Sequence, residues 1–312
     1  INLNNNKKVN LQIILGASGV LYKFGQLSRL IEADGLNITD SFYSIIEGEN
    51  LVTMSKSAGL TILELTNIFN KVKPDVVVVL ADRFENLPVA ICASYMNIPL
   101  AHIQGGETTG SIDEKVRHAI TKLSDIHFVS TNKAYERVIA MGENPDAVHV
   151  TGCPSIDIAK QLDSNSPLDF NPFEKYGGVG NTFDTSDDYL IVMQHPITTE
   201  HYLSNKQTLE TLKAITELNM PTFWFWPNPD AGSAGISKEI RVFREHHEKS
   251  KIHFVINMSP EDFLKLTISS SCIIGNSSVA IRECSFLGVP AVNLGTRQFG
   301  RERGSNVIDS SH

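Results

Sequence analysis

Short apolar runs alternate regularly with longer amphipathic runs along this chain, and this pattern restricts the folds it can adopt. Most of the apolar runs are β-branched or aromatic, and several are apolar on both faces, which is typical of strands buried in a parallel sheet. The predicted strands are LQIIL, VVVVL, LAHIQ, IHFVS, VHVTG, LIVMQ, TFWFW, HFVI, CIIG and AVNL. Repeated strand-then-helix units predict a doubly wound α/β fold.

Two of the intervening segments carry clear helix signals. In SIDEKVRHAITKLS the apolar residues recur on one face, and Ser111 with Glu114 matches the S-x-x-E capping box, which predicts a helix start there. The segment SVAIRECSFLG reads as a second helix that ends at Gly288.

The length of the chain predicts more than one domain. A single core seldom extends over 312 residues. Composition shifts to Gly, Pro, Asn, Ser and Asp between about residues 160 and 188. We therefore predict an N-terminal α/β domain at 1–160, a linker at 161–185 and a C-terminal α/β domain at 186–312. The chain begins and ends within its pattern, so we expect truncation at both ends.

Charge and cysteine usage argue against several classes of protein. The net charge of −8 and the pI near 5.7 argue against a nucleic-acid partner or an anionic membrane face. No apolar run approaches the roughly 20 residues that span a bilayer. Cys92, Cys153, Cys272 and Cys284 lack CxxC spacing, which favours free thiols in a reducing, cytoplasmic compartment over a metal site.

Polar residues follow six of the predicted strands. In open α/β sheets ligands bind at the carboxyl ends of strands, so these positions are the candidate site. They are Asp82 and Arg83 after VVVVL, Glu107 after LAHIQ, His195 after LIVMQ, Asn228 and Asp230 after TFWFW, Ser277 and Ser278 after CIIG, and Arg297 and Arg301 after AVNL. Because the six ends come from both domains, we expect them to face a cleft.

Several of these residues also have plain structural explanations. Asp82 could cap the following helix, and Asp113 in a first helical turn stabilises the helix dipole. Arg117 lies four residues after Asp113 and could pair with it. Glu107 follows two glycines, which permit close approach of a ligand and favour a functional role.

The stretch GNSSVAIRE, residues 275–283, has three readings. Asn276-Ser277-Ser278 matches a glycosylation sequon, which we reject because it lies between a buried strand and its helix. Ser277 or Asn276 could cap the helix, and the same exposed N–H groups could bind phosphate. Glu283 would then be placed to bind sugar hydroxyls.

The chain resembles a known enzyme family from about Ile13 to Val307. The residues that carry the resemblance are AHIQGGETTGSIDEKVRHAITKLSD, TGCPSID, MQHPITTE, WPNPDAGS and GNSSVAIRECSFLGVPAVNLGTRQFGRERGSNV. Together they look like the hydrolysing UDP-N-acetylglucosamine 2-epimerases of the bacterial sialic-acid and legionaminic-acid type. The resemblance implies two Rossmann-like domains of the GT-B type, with nucleotide bound mainly by the second.

The resemblance also implies roles for individual residues. It implies catalytic roles for Asp82, Glu107, Asp113 and His195, and substrate-binding roles for Arg83, Asn228, Ser277, Ser278, Glu283 and Arg297. The family's opening Thr-Arg-like motif is absent from this chain. By analogy with the family we expect a homo-oligomer, a dimer or tetramer.

The chemistry implied is conversion of UDP-N-acetylglucosamine and water to UDP and N-acetylmannosamine. UDP would be eliminated to give a 2-acetamidoglucal, which water then rehydrates with protonation at C2 from the other face. This chemistry needs no cofactor, and no GxGxxG follows a strand. Three alternatives stay open: a hydrolase of UDP-2,4-diacetamido-2,4,6-trideoxyglucose, a non-hydrolysing epimerase, and a non-catalytic nucleotide-sugar-binding protein.

Overall fold

Parallel sheets flanked by helices make up the protein. The structure, a computed structural model, describes residues 2–22, 27–48, 50–163, 168–228 and 230–311. The chain divides into two compact units. The first unit is Ile1–Glu107 with Asp113–Gly152, and the second is Thr108–Ile112 with Cys153–His312.

The first unit contains two parallel sheets. The strands β1 (Ile13–Leu15) and β2 (Ile38–Ser41) form one pair. The other sheet has the order β3-β4-β5-β6, built from Val77–Leu80, Leu100–Ile103, Ile126–Val129 and Val148–Val150. Its helices are α1 (Leu27–Ala33), α2 (Leu51–Val72), α3 (Asn86–Tyr95), α4 (Ile112–Leu123) and α5 (Asn132–Ala140).

The second unit is built on one seven-stranded sheet. Its strands are β7 (Val179–Gly180), β8 (Leu190–Met193), β9 (Thr222–Phe225), β10 (Ile252–Val255), β11 (Cys272–Gly275), β12 (Ala291–Leu294) and β13 (Val307–Ser310). They lie in the order β13-β12-β11-β8-β9-β10-β7, and only the pairing of β7 with β10 is antiparallel.

Helices complete the second unit. They are α6 (Pro154–Ala159), α7 (Pro172–Tyr176), α8 (Ser204–Leu218), α9 (Ser233–His246), α10 (Pro260–Ile268) and α11 (Glu283–Leu287). Neighbouring residues of one strand enter different cores: Ile191 packs with Phe223 on one face of the sheet, and Val192 with Trp224 on the other. A strand covered on both faces must be apolar along its whole length, which is what the sequence pattern indicated.

The predicted α/β fold class is confirmed, and each of the ten predicted strands is present. Three further strands were missed. Three of the four residues of β2 (ITDS) and two of the four residues of β13 (VIDS) are polar, and β7 has only two residues, so none of the three carries the buried-strand signal. These three strands form because the backbone of β2 pairs with β1, that of β7 with β10 and that of β13 with β12.

The segment predicted as a linker contains regular structure. Within 161–185, α7 begins after Asn171, whose side chain accepts hydrogen bonds from the N–H groups of Phe173 and Glu174. β7 then joins the edge of the second sheet. Residues 164–167 of this segment lie outside the described residues, and the domain boundaries at 160 and 186 stay a prediction.

Among the described residues no cysteine forms a disulfide; Cys92 and Cys284 are buried, and Cys153 and Cys272 are partly buried. Among the described residues, no helix combines the length and apolarity needed to cross a membrane.

Candidate active site at the strand ends

The second sheet has a topological switch point between β8 and β11. From β8 the chain proceeds to β9 and β10 on one side, and from β11 it proceeds to β12 and β13 on the other. Loops that leave neighbouring strands in opposite directions open a crevice at the carboxyl ends of those strands, which is where open α/β sheets bind ligands. His195 follows β8 and Asn276 follows β11, so both residues lie at this point.

His195 and Asn276 are joined by a reciprocal pair of hydrogen bonds. The His195 backbone N–H donates to the Asn276 Oδ1 at 2.7 Å, and the Asn276 Nδ2 donates to the His195 carbonyl at 2.8 Å. The Asn276 side chain is fully buried, and His195 is 6% exposed. A carboxamide fits this place because it offers one donor and one acceptor side by side. Its burial also agrees with rejecting the sequon.

The backbone around Asn276 is equally constrained. Its carbonyl accepts hydrogen bonds from Gln298 Nε2 at 2.8 Å and from Arg297 Nη1 at 3.1 Å. Gly275 before it has φ of 141°, and a Cβ there would lie 2.1 Å from the Met193 carbonyl oxygen. Only glycine allows the ends of β8 and β11 to approach so closely.

The His195 ring is oriented by the next strand. The backbone N–H of Asn228, after β9, donates to His195 Nδ1 at 3.2 Å. The strand ends that carry His195, Asn228, Asn276 and Arg297 therefore belong to four consecutive strands, β9-β8-β11-β12.

The stretch after Asn276 differs from the single helix that was predicted. Ser277 caps a short 3₁₀ turn, Ser278–Ala280, and α11 begins only at Glu283, so Glu283 starts a helix instead of lying two turns into one. The Ser277 hydroxyl accepts the Val279 N–H, a local bond that competes with the helix, and β-branched Val279 and Ile281 weaken helix propensity further.

The predicted nucleotide-binding residues of this turn have defined surroundings. The Ser278 hydroxyl accepts a hydrogen bond from Arg282 Nη2 at 3.0 Å. Glu283 is 5% exposed, and among the described residues its Oε2 has no hydrogen-bond partner, with Arg282 Nε 3.8 Å away. A buried carboxylate oxygen without a hydrogen bond is costly, which is the condition expected of a group that binds a hydroxyl.

In the first unit, one guanidinium joins two of the predicted catalytic positions. Arg117 on α4 is 1% exposed, forms an ion pair with the Asp82 carboxylate and donates to the Glu107 carbonyl oxygen at 2.8 Å. Asp82 follows β3 and Glu107 follows the neighbouring strand β4. Helical spacing indicated that Arg117 could pair with Asp113, and the ion pair with Asp82 is a further contact that the sequence did not indicate.

A second ion pair lies beside the first. Arg83 binds Glu85 through two bonds, from Nε at 3.0 Å and from Nη2 at 2.9 Å. The Ser18 hydroxyl donates to the same carboxylate at 2.9 Å, and Glu85 is 8% exposed. Arg83 was predicted to bind substrate, and its partner Glu85 was not recognised in the sequence.

A buried histidine supports the turn that carries Asp82. His102 on β4 is fully buried, and its Nε2 donates to the carbonyl of Ala81, a residue with φ of 61°. Its Nδ1 lies 3.1 Å from the Thr121 hydroxyl. Burial lowers the pKa of His102 to about 4, so the ring is neutral near pH 7.

Asp113 lies in the first turn of α4, one turn before Arg117. The residues before it, Thr108–Ile112, group with the second unit, where the Gly110 N–H donates to the Arg297 carbonyl at 3.0 Å. The Thr108 hydroxyl donates to the Gly300 carbonyl at 2.7 Å.

The structure thus groups the predicted residues by unit. It joins Asp82 to the Glu107 backbone through Arg117, and it places His195, Asn228 and Arg297 around Asn276. The buried residues Arg117, Asn276 and Gln298 were not among the predicted site residues. Their long-range partners left no local signal, although Asn276 lies within the GNSS motif.

Two α/β units with parallel sheets and polar strand ends define a GT-B-type α/β protein. A solved structure described as UDP-GlcNAc 2-epimerase from Methanocaldococcus jannaschii in complex with UDP-GlcNAc and UDP has this fold, with a TM-score of 0.67 and 20% identity over 96% of this chain and 88% of that one. The chain belongs to the UDP-N-acetylglucosamine 2-epimerase family, whose model matches residues 1–312.

Curated relatives agree with this assignment. The chain is 31% identical to the UDP-N,N'-diacetylbacillosamine 2-epimerase (hydrolyzing) of Legionella pneumophila, over 98% of this chain and 79% of the relative. It is 35% identical to the polysialic acid biosynthesis protein P7 of Escherichia coli, over 92% of this chain and 71% of the relative.

Proposed function

We propose that the protein is a hydrolysing UDP-N-acetylglucosamine 2-epimerase that forms UDP and N-acetylmannosamine. A base removes the C2 proton while the C1–O bond to UDP breaks, which leaves a 2-acetamidoglucal. Water then adds at C1, losing a proton to a base, and an acid protonates C2 from the opposite face. UDP-N-acetylglucosamine and one water give the two products, so atoms and charge balance.

The observation that carries the proposal is the link from Arg117 to Asp82 and to the Glu107 backbone. The Arg117 guanidinium balances the charge of the Asp82 carboxylate at this strand end. The link also fixes the relative position of two strand ends whose side chains were predicted to transfer protons. We assign Asp82, Glu107 and Asp113 to proton transfer.

We assign the nucleotide to the second unit. Its support is the switch point, where Ser277, Ser278 and Arg297 follow adjacent strands. Arg297 and Arg282 supply positive charge suited to a departing diphosphate. Glu283, with its unbonded buried oxygen, is assigned to the ribose hydroxyls.

The experiment is a product analysis by NMR in D₂O with UDP-N-acetylglucosamine. We expect free UDP and N-acetylmannosamine, with one deuterium at C2 of the sugar. Accumulation of UDP-N-acetylmannosamine in equilibrium with substrate would instead identify a non-hydrolysing epimerase and overturn the proposal.

Paired variants separate chemistry from binding. Glu107→Gln and Asp113→Asn should each lower kcat by 100-fold or more, in line with the loss of acid–base catalysis, about 10²–10⁴, while UDP still binds. Ser277→Ala should weaken UDP binding more than Glu107→Gln does. Unchanged turnover in both carboxylate variants would show that Glu107 and Asp113 do not transfer the protons, and absence of turnover in the parent protein would favour the non-catalytic alternative.

A second candidate substrate is UDP-2,4-diacetamido-2,4,6-trideoxyglucose. It is favoured by the similarity to a relative named as a hydrolysing diacetylbacillosamine epimerase. Comparing kcat/KM for the two nucleotide sugars decides between them, and the proposal for UDP-N-acetylglucosamine fails if the diacetamido sugar is turned over 100-fold more efficiently.

A further inference from the structure

We propose that Gln298 is a positioning residue that directs the backbone N–H of Ser277 toward an anionic oxygen of the nucleotide diphosphate. The inference rests on the proposed function for the identity of the ligand. The geometry that it uses lies within the second unit.

Gln298 lies in the loop that follows β12, and both ends of its carboxamide are bonded. The residue is 1% exposed. Its Nε2 donates to the Asn276 carbonyl at 2.8 Å, and its Oε1 accepts a hydrogen bond from Arg301 Nη1 at 3.0 Å. A carbonyl can only accept and a guanidinium can only donate, so these two partners fix which end of the amide faces which neighbour.

The Asn276 carbonyl sets the direction of the next N–H group. The peptide bond between Asn276 and Ser277 is trans, and in a planar trans peptide the C=O and the following N–H point in opposite directions. The C=O points toward the loop after β12, where Gln298 and Arg297 donate to it. In the strand order β12-β11-β8, the Ser277 N–H therefore points away from β12, toward the switch point between β11 and β8.

The same two donors strengthen this N–H as a hydrogen-bond donor. Arg297 Nη1 donates to the Asn276 carbonyl at 3.1 Å, beside the bond from Gln298, and hydrogen bonds accepted at a carbonyl polarise its peptide unit. A polarised N–H suits an oxygen that carries negative charge, such as those of a diphosphate. Because Gln298 is buried behind the carbonyl, it acts on the ligand through the Ser277 N–H.

A purely structural role for Gln298 makes different predictions. A buried amide that only ties two loops together would stabilise the unit, and its loss would weaken the binding of every part of the nucleotide alike. The positioning role instead predicts a loss confined to the phosphate groups. It also predicts a change at the Asn276 carbonyl before any ligand binds.

The direct test is NMR of the ligand-free protein with ¹³C at the Asn carbonyls and ¹⁵N at the Ser amides. This labelling selects the two Asn-Ser peptides of the chain, and Ser277→Ala identifies the signal of interest. We expect the Asn276 carbonyl signal to move upfield in Gln298→Met and in Gln298→Glu, because neither a thioether nor a carboxylate can donate to the carbonyl.

The two variants separate the lost donor from lost packing. Gln298→Glu keeps the size of the side chain and an acceptor for Arg301, and it lacks only the donor. An Asn276 carbonyl signal that stays at its parental position in Gln298→Met would overturn the proposal. A shift in Gln298→Met without one in Gln298→Glu would assign the effect to packing and would overturn it as well.

Ligand binding provides the second readout, with UDP and uridine as probes in NMR titrations. We expect Gln298→Met to weaken UDP binding by about 10-fold or more, the effect of losing a hydrogen bond to a charged group, and uridine binding by less than about 2-fold. Equal losses for UDP and uridine, or no loss for UDP, would overturn the positioning role.

Tyr189→Phe is the matched control. Tyr189 is also fully buried in this unit, and its hydroxyl donates to the Leu266 carbonyl at 2.6 Å, just before β8 begins and so at the opposite end of the strand. This variant should lose stability but bind both probes as the parent protein does. If Tyr189→Phe also weakened UDP binding selectively, the loss in Gln298→Met would reflect general damage and the proposal would fail.

The outcomes distinguish the inference from the proposed function. A parent protein that binds UDP without converting UDP-N-acetylglucosamine would contradict the proposed function, and both readouts would still decide the inference. A parent protein that does not bind UDP would contradict both.

Discussion

The strand ends of the two units carry different chemistry. At the ends of β3 and β4 the polar groups are charged and paired, with Arg117 on Asp82 and Arg83 on Glu85. At the ends of β8 and β11 the central contacts are between an amide and the backbone, as in the bonds between Asn276 and His195. Buried charges are costly to leave unpaired, whereas neutral amides mainly hold geometry.

This contrast indicates which interactions stabilise the strand ends of each unit. In the first unit, removing one partner leaves a charge without compensation. In the second, removing the amide leaves two backbone groups unsatisfied but no charge. The contrast predicts larger losses of stability for buried charged groups than for neutral amides, and the smallest for charges at the surface.

The largest effect is expected for Arg117→Met. This change removes the buried Arg117 guanidinium from its ion pair with Asp82. It should lower the free energy of unfolding, measured by urea denaturation, by about 4 kcal/mol. Adding Asp82→Asn should recover part of this loss, because it removes the uncompensated charge. A double variant no more stable than Arg117→Met would contradict the importance of charge in this unit.

The next effect depends on pH and on His102. Its pKa is lowered by burial to about 4 in the folded protein, whereas an unfolded histidine titrates near 6.5. The unfolded chain therefore binds an extra proton between these values. The contribution of the neutral His102 ring to the free energy of unfolding is therefore fully present above pH 6.5. It falls by about 3 kcal/mol as the pH drops to 4.

His102→Gln should reduce the slope of the unfolding free energy against pH by an amount that corresponds to up to about one bound proton. Unfolding in urea at several pH values from 7 to 4 measures the slope. His118 and His127 also have pKa values lowered by burial, so a residual slope is expected from them. An unchanged slope in His102→Gln would show that His102 does not supply the effect.

A smaller effect is expected for Asn276→Ala. Loss of its two hydrogen bonds to His195 leaves a buried N–H and carbonyl unsatisfied, which should cost about 2 kcal/mol in urea denaturation. Asn293→Ala should lower the free energy of unfolding by less than this, because its partner Asp309 is largely exposed and can hydrogen-bond to water instead. A loss as large as that in Arg117→Met would remove the contrast between the units.

The smallest effect is expected for Lys71→Ala at the surface. Lys71 lowers the pKa of Asp40 through a hydrogen bond, yet the Lys71 side chain is 73% exposed. Water replaces such a partner readily, so the urea midpoint should not change measurably. A clear shift of the urea midpoint would mean that exposed ion pairs also stabilise the first unit.

Much of the fold could be predicted because strand signals are local. The strands LIVM and TFWF are buried on both faces, and their continuous apolar sequences predict this burial. The polar strand ITDS is formed by pairing with β1, which no local pattern reveals. The stretch SVAIRECSFLG was wrongly predicted as one helix because its apolar spacing fits a helix, while the Ser277 bond to Val279 favours a tight turn.

The sequence indicated which polar residues follow strands, but it did not indicate their hydrogen-bond partners. Polar residues after strands marked Asp82, Glu107 and His195 from sequence alone. Helical spacing indicated that Arg117 could pair with Asp113, whereas no local pattern indicated its bond to Asp82, 35 residues earlier. The bonds between Asn276 and His195 span 81 residues.

The alternation of strands and helices and the polar residues at the strand ends can be read from the amino-acid sequence alone, because side-chain period and burial show within a few residues. The strand order that makes β8 and β11 neighbours, and with it the bond from Asn276 to His195, arises only in the folded unit. The reason is physical: a hydrogen bond between distant residues forms only after the sheet has brought their backbones together, and sheet order results from the packing of the whole unit.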